Sequence, residues 1–329
     1  MAVNVYYIFG VCQTVTQSAT IVANLLTIIA FANVRSLRTH TSNVLIFALS
    51  VTDFFWGIFQ LLFYGVTFIY HSGPPGAEIG CRISVPFEYI YNAGNMLLIA
   101  ISVDRVLLVS LNYSTYVKIM TARRLYLIIA ACFLICLIGS IIELSLWDFA
   151  KRNNANAANL DFSHGCPYPP RRMKLFGLYV SLFFFILPLL LVGIFSVVFI
   201  NRLLARIRKS RQIGQCASVS NAEKSQIDDP EKSDNPDGGK AVQKRYKKAA
   251  VTLGALVSAM CVSMLPFCTY LLVMALSGKD SIPAMLIMWY VLQLNPLLDP
   301  LFYAATQKDI KEFYGAKIRG LLRRCNSTP

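Results

Sequence analysis

The chain has 329 residues, 56% hydrophobic and only 15% charged, with a formal net charge of +14. A soluble domain carries roughly 45–50% apolar and about 25% charged residues, so an ordinary water-soluble globule is excluded. The basic residues follow the connections between apolar blocks, so the charge reports membrane topology and no nucleic-acid partner is expected. A bilayer is crossed by about 20 apolar residues in a helix, and seven such stretches are expected, near 6–32, 43–70, 83–109, 125–147, 175–200, 249–276 and 282–304. The expected fold class is all-α, a seven-transmembrane helix bundle over 1–304, followed by a short interfacial helix and tail over 305–329.

In chain order, the opening MAVNVYYIFG has no basic n-region and runs into the first stretch, so no secretory signal peptide is expected. The first span carries Asn24 at mid-depth, and the second carries Asp53 in FALSVTDFFWG. The third ends in an acid–base doublet, Asp104 and Arg105. From Cys81 to Arg105 a helix covers roughly 36 Å, enough to cross the whole membrane. Glu143 lies near the far end of the fourth span. Between the fifth and sixth spans runs an inner loop, 205–247, whose middle is polar and almost free of aromatics. It is expected to be disordered over about 212–243, with basic helical extensions at its flanks. The seventh span contains LNPLLDPLFY, in which an Asn, an Asp and two prolines interrupt an apolar run. Prolines four apart break helix hydrogen bonds unless neighbours take up the freed carbonyls. Beyond it, Ile310, Phe313, Tyr314, Ile318, Leu321 and Leu322 recur at helical steps among Lys and Arg, the pattern of a helix lying in the interface with membrane lipid. Cys325 at its end is a candidate for palmitoylation or a free cytosolic thiol.

Most of the 31 Lys and Arg follow spans 1, 3, 5 and 7, and only Arg82, Lys151, Arg152, Arg171, Arg172, Lys174 and Lys279 follow the others. The positive-inside tendency then puts the N-terminus outside and the C-terminus in the cytoplasm of a multi-pass cell-membrane protein. Of nine cysteines, Cys81 and Cys166 alone fall in outer connections, where a disulfide persists, and they are expected to pair. Acids inside spans are costly and mark function. If spans 1, 2 and 7 are neighbours, Asn24, Asp53, Asn295 and Asp299 form an oxygen-rich cluster. Such a cluster binds a hard monovalent cation, shares a proton, or serves as a structural network.

Taken together, these residues resemble the rhodopsin-like (class A) G-protein-coupled receptors, nearest in pattern to the biogenic-amine type. The resemblance rests on Asn24, LSVTD in span 2, the Cys81–Cys166 pair, SVDRV closing span 3, Pro188 in span 5, MLPF at 264–267 and DPLFY at 299–303. It implies a heterotrimeric G protein as partner, with Asp104, Arg105 and Tyr303 as its switch, and a sodium pocket of Asp53, Asn295 and Asp299. No other cofactor and no catalytic or metal site is implied, and no enzyme activity is expected. The chain departs from the family pattern at Val106, Met264, Ser196, Gly94 and the extra Pro296, and span 4 lacks the usual Trp.

In the amine receptors of that family an Asp of span 3 holds the ligand's ammonium. Counting from Arg105 gives Phe87 for that position, whereas counting from Cys81 gives Glu88. Glu88, Tyr91, Asn92 and Asn95 share one helix face. Glu88 is either a ligand counter-ion, as carboxylate and rings would suit a cation, or a partner of Arg82, Arg171 or Arg172. The rest of the expected small-molecule site is Ser181, Phe184, Phe267, Tyr270, Trp289 and Tyr290. Two alternatives stand beside the amine reading: a class A receptor for a peptide, lipid or chemosensory ligand on a basic outer rim, and a non-receptor seven-helix membrane protein.

Overall fold

The computed structural model describes residues 5–39, 43–65, 78–153, 178–179, 181–223, 236–277 and 281–326, and every regular element among them is a helix. Seven helices are long and apolar enough to cross a membrane: Tyr7–Asn33, Asn43–Phe63, Ile79–Ser110, Ala122–Phe149, Ser181–Arg208, Gly254–Met274 and Pro283–Ala305. They are called spans 1 to 7 here. Each matches one expected stretch, because a helix satisfies its own backbone polar groups where no water can. Serines and threonines inside the spans follow the same rule. Thr20, Ser102, Ser196 and Ser263 each donate to the carbonyl four residues back, at 2.7–2.9 Å.

Span 3 is the centre, packed against spans 2, 4 and 5. Spans 1 and 2, 5 and 6, 6 and 7, and 7 and 1 close the ring around it. Spans 1, 2 and 7 are therefore mutual neighbours. Between spans 3 and 4 a short helix, Tyr113–Ile119, lies at the inner end. The interfacial helix Lys308–Asn326 follows span 7 and rests on span 1. Its Tyr314 hydroxyl meets the Thr27 hydroxyl at 2.6 Å and the Ala23 carbonyl at 2.9 Å.

Three departures from regular helix shape the bundle. Span 2 ends in a π-helical turn, Leu61–Gly65, and span 5 opens with another, Ser181–Ile186, just before Pro188. Span 7 breaks at Gln293–Leu294, between Ile282–Leu292 and Asn295–Thr306. The break precedes Pro296, and the helix then continues through Pro300. A proline has no N–H for the carbonyl four residues back, so Pro300 orphans the carbonyl of Pro296. The Asn24 amide of span 1 donates to that carbonyl at 2.9 Å.

The inner loop expected to be disordered over 212–243 has helical flanks. The helix of span 5 continues to Glu223, and that of span 6 begins at Pro236; residues 224–235 lie outside those described. Extending an anchored helix costs no nucleation, so polar flanks propagate further than composition alone suggests.

Candidate functional site

In the half of the bundle that carries Cys81, a cavity is lined by Trp56, Glu88, Tyr89, Tyr91, Asn92, Glu143, Phe185, Phe267, Leu271, Met274, Trp289 and Leu292. Spans 2 to 7 all contribute. Its walls are aromatic: Trp56 and Tyr91 lie 5.3 Å apart, and Phe267 meets both Phe185 and Trp289 at 5.4 Å in edge contacts. The cavity volume is about 30 Å³, room for about two waters. A larger guest enters only by spreading these rings.

Five of the expected ligand residues meet there: Glu88, Tyr91, Asn92, Phe267 and Trp289. Four do not line it. Ser181 and Phe184 are fully buried, and Phe184 packs edge-on against Tyr89 at 4.9 Å. Phe185 takes the wall position instead. The π-helical turn over Ser181–Ile186 is the reason, because its wider winding rotates the residues that follow relative to a 3.6-residue helix. Tyr290 turns towards span 1, where its hydroxyl meets Thr16 at 2.9 Å, and Tyr270 reaches the carbonyl of Ser281 at 3.3 Å. Trp289 and Tyr290 differ by about 100° around one helix, so only one of them faces the cavity.

The sequence singled out none of Trp56, Tyr89, Phe185, Leu271, Met274 and Leu292 for the pocket, and placed Glu143 only near the far end of span 4. Arg82, the alternative partner for Glu88, ion-pairs with Asp148 at 2.5 Å and lies over the Trp147 ring at 5.8 Å. Arg171 and Arg172 lie outside the described residues.

Behind the pocket, between spans 1, 2 and 7, lies a lattice of four fully buried glutamines. Gln293, at the break in span 7, accepts from the Trp56 indole at 2.8 Å and from the Gln17 amide at 3.3 Å. Gln13 donates to Gln60 at 3.1 Å. None of the four stood out in the sequence, because an uncharged amide in an apolar run gives no periodic signal.

One layer further in, Asn24, Asp53, Asn295 and Asp299 are brought together, all at most 5% exposed. Asp53 and Asp299 are close enough to repel each other. The Asp53 Oδ2, both Asp299 carboxylate oxygens, and the Asn24 and Asn295 Oδ1 atoms have no hydrogen-bond partner among the described residues. An oxygen-only set of this kind suits a hard cation. Gly94 of span 3 faces this cluster, and a Cβ there would lie 3.9 Å from Asp53 Oδ1. Span 3 thus supplies space and no ligand atom at that position. Tyr303 is fully buried below and lies within electrostatic reach of Asp299, Asp53 and Arg105.

At the inner mouth, Asp104 accepts from the Tyr116 hydroxyl at 2.7 Å, and its other oxygen lies 3.9 Å from Arg105. Tyr116 comes from the short helix after span 3, a contact the doublet alone did not foretell. Ser196 bonds to its own backbone at Val192, and Met264 is fully buried. Cys81 is disulfide-bonded; its expected partner Cys166 lies outside the described residues. Cys325 lies in the last turn of the interfacial helix.

The family described as 7 transmembrane receptor (rhodopsin family) matches residues 23–303. The Histamine H2 receptor of Rattus norvegicus is 25% identical to this chain over 302 residues, covering 90% of this chain and 75% of that protein.

Proposed function

Because the chain belongs to the rhodopsin family of seven-transmembrane receptors, we propose that it senses a small cationic amine outside the cell and activates a heterotrimeric G protein within. The family is one of membrane receptors and not of enzymes, and small-molecule ligands and G proteins are its general partners. The observation that carries the amine reading is Glu88, 7% exposed, in one cavity with Trp56, Tyr91, Phe267 and Trp289. A carboxylate ringed by aromatic faces in a site of low dielectric attracts an ammonium group by charge and by cation–π contact. The similarity to a histamine receptor supports the same ligand class.

In this reading the ligand binds two packings of the bundle with different affinity, and that difference is the signal. Spreading the rings moves Trp56, and through its bond to Gln293 the strain reaches the break in span 7. Asp53, Asn295 and Asp299 hold a sodium ion in the resting packing; the ion would offset the charge of one of the two carboxylates and weaken their mutual repulsion. Arg105, released from Asp104, and Tyr303 meet the G protein. The N-terminus is outside and the C-terminus is cytoplasmic, which the distribution of Lys and Arg supports. Cys325, at the end of an amphipathic helix, takes a palmitoyl chain.

The test is G-protein dissociation in cells given cationic, anionic and peptide ligands, with wild type and Glu88→Gln at matched surface expression. A small amine that activates the wild type and loses about tenfold or more in potency on Glu88→Gln supports the reading. A peptide or anion acting equally on both overturns it.

A further inference from the structure

We infer that the Tyr91 hydroxyl is the oxygen that span 3 gives to the cation held by Asp53, Asn295 and Asp299, and that Tyr91 thereby joins the ligand cavity to that cluster. This rests on the sodium reading of the cluster and extends it to a residue of the cavity wall.

A hard cation gathers several oxygen ligands around itself. The open oxygens of the cluster come from spans 1, 2 and 7: Asn24 Oδ1, Asp53 Oδ2, Asn295 Oδ1 and both carboxylate oxygens of Asp299. The side towards span 3 is bare at Gly94, which faces Asp53 without a side chain. Tyr91 lies three residues earlier on the same helix face. Its hydroxyl is buried, has no hydrogen-bond partner among the described residues, and lies within electrostatic reach of both Asp53 and Asp299. A buried hydroxyl without a partner costs free energy, and unpaired carboxylate oxygens cost more. A cation between them offsets both costs. Asn95, the next polar residue of span 3, turns instead to Asn92 at 3.5 Å.

The ring of Tyr91 serves the other side. It walls the cavity together with Trp56, their centroids 5.3 Å apart. One rigid side chain therefore has its ring at the guest and its oxygen towards the cluster. A guest that parts the two rings moves the hydroxyl with them, so occupation of the cavity is felt at the cation.

The experiment follows the unfolding temperature of the purified full chain as sodium chloride replaces potassium chloride at constant ionic strength, with no ligand added. Sodium should raise the temperature of the wild type once it exceeds its dissociation constant. Tyr91→Phe keeps the ring against Trp56 and removes one oxygen. It should need about three- to tenfold more sodium for the same rise, with no loss of stability in potassium. Adding Gly94→Ser puts an oxygen back beside Asp53 and should restore the wild-type response. There is room for it, since the nearest neighbour of a Cβ at Gly94 is Leu49 Cδ1 at 3.4 Å. A sodium response in Tyr91→Phe equal to that of the wild type overturns the inference. An equal fall of the unfolding temperature in both salts also overturns it, because that marks packing alone. If sodium does no more than potassium in the wild type, or if Asp53→Asn keeps the full response, the sodium reading of the cluster fails as well.

Discussion

Span 4 and the wedge between spans 1, 2 and 7 cross the same membrane under opposite rules. Only 28% of span 4's most apolar stretch is buried, against 56% for span 2. Leu127, Leu134, Ile138 and Ile141 on span 4 are all at least half exposed, and lipid is as good a neighbour for them as protein. The wedge instead buries four glutamines, two asparagines and two aspartates. The difference teaches that span 4 is specified by shape at one point, Gly139, while the wedge is specified by hydrogen bonds that cannot be made singly.

Substitutions at the wedge should therefore cost most. Gln293→Leu strands the Trp56 indole and the Gln17 amide together. At about 1–3 kcal/mol for each buried orphan, it should lose about 2–6 kcal/mol, read as a fall in the unfolding temperature of the purified receptor. Asn24→Leu strands one carbonyl, that of Pro296, and should cost about 1–3 kcal/mol. Adding Pro300→Ala supplies the missing N–H from within the helix, so the double variant should recover most of that loss. If Pro300→Ala gives no recovery, the carbonyl is not what Asn24 serves. On span 4, Gly139→Ala forces a methyl into Tyr89 and Phe184 and should cost about 1–3 kcal/mol. Gly193→Ala on span 5, where nothing lies within 4 Å, should be neutral or stabilising by up to about 1 kcal/mol. Smallest of all, Ser145→Ala removes only a bond to the residue's own helix at Ile141 and should stay within about 0.5 kcal/mol.

A titration sharpens the comparison at the membrane surface. Burial raises the Tyr314 phenol above its ordinary value near 10, with the Thr27 hydrogen bond opposing. A raised acid of this kind favours the folded state below the ordinary value and loses that contribution as pH climbs through the raised one. The clasp of the interfacial helix on span 1 should thus be unchanged across neutral pH and loosen only in strong alkali. Fluorescence quenching between labels on the two helices reports it.

The seven spans were legible because about 20 apolar residues in a row have few other uses. The Asp53–Asp299 cluster was legible because acids in lipid are rare. The pocket was only half legible, and for more than one reason. Periodicity assumes 3.6 residues per turn, and the π-helical turn of span 5 breaks that count just where Phe184 and Phe185 must be told apart. Tyr290 lies outside the cavity wall for a different reason, since neither of two adjacent aromatics announces which faces span 1. The glutamine lattice was invisible because its meaning lies in the meeting of three helices far apart in sequence, and the Tyr116 contact because it depends on how a loop folds back.

The bond from Asn24 to Pro296 also sets an order of assembly. Its two ends are 272 residues apart, so the donor enters the membrane long before its acceptor exists. Until then the Asn24 amide has only the Thr20 carbonyl of its own helix, at 3.0 Å, and the last helix, inserted alone, carries a carbonyl it cannot satisfy. That open carbonyl is a reason for quality control to retain an incomplete chain. A receptor expressed as two pieces cut between residues 224 and 235 should therefore leave the endoplasmic reticulum only when both pieces are made together.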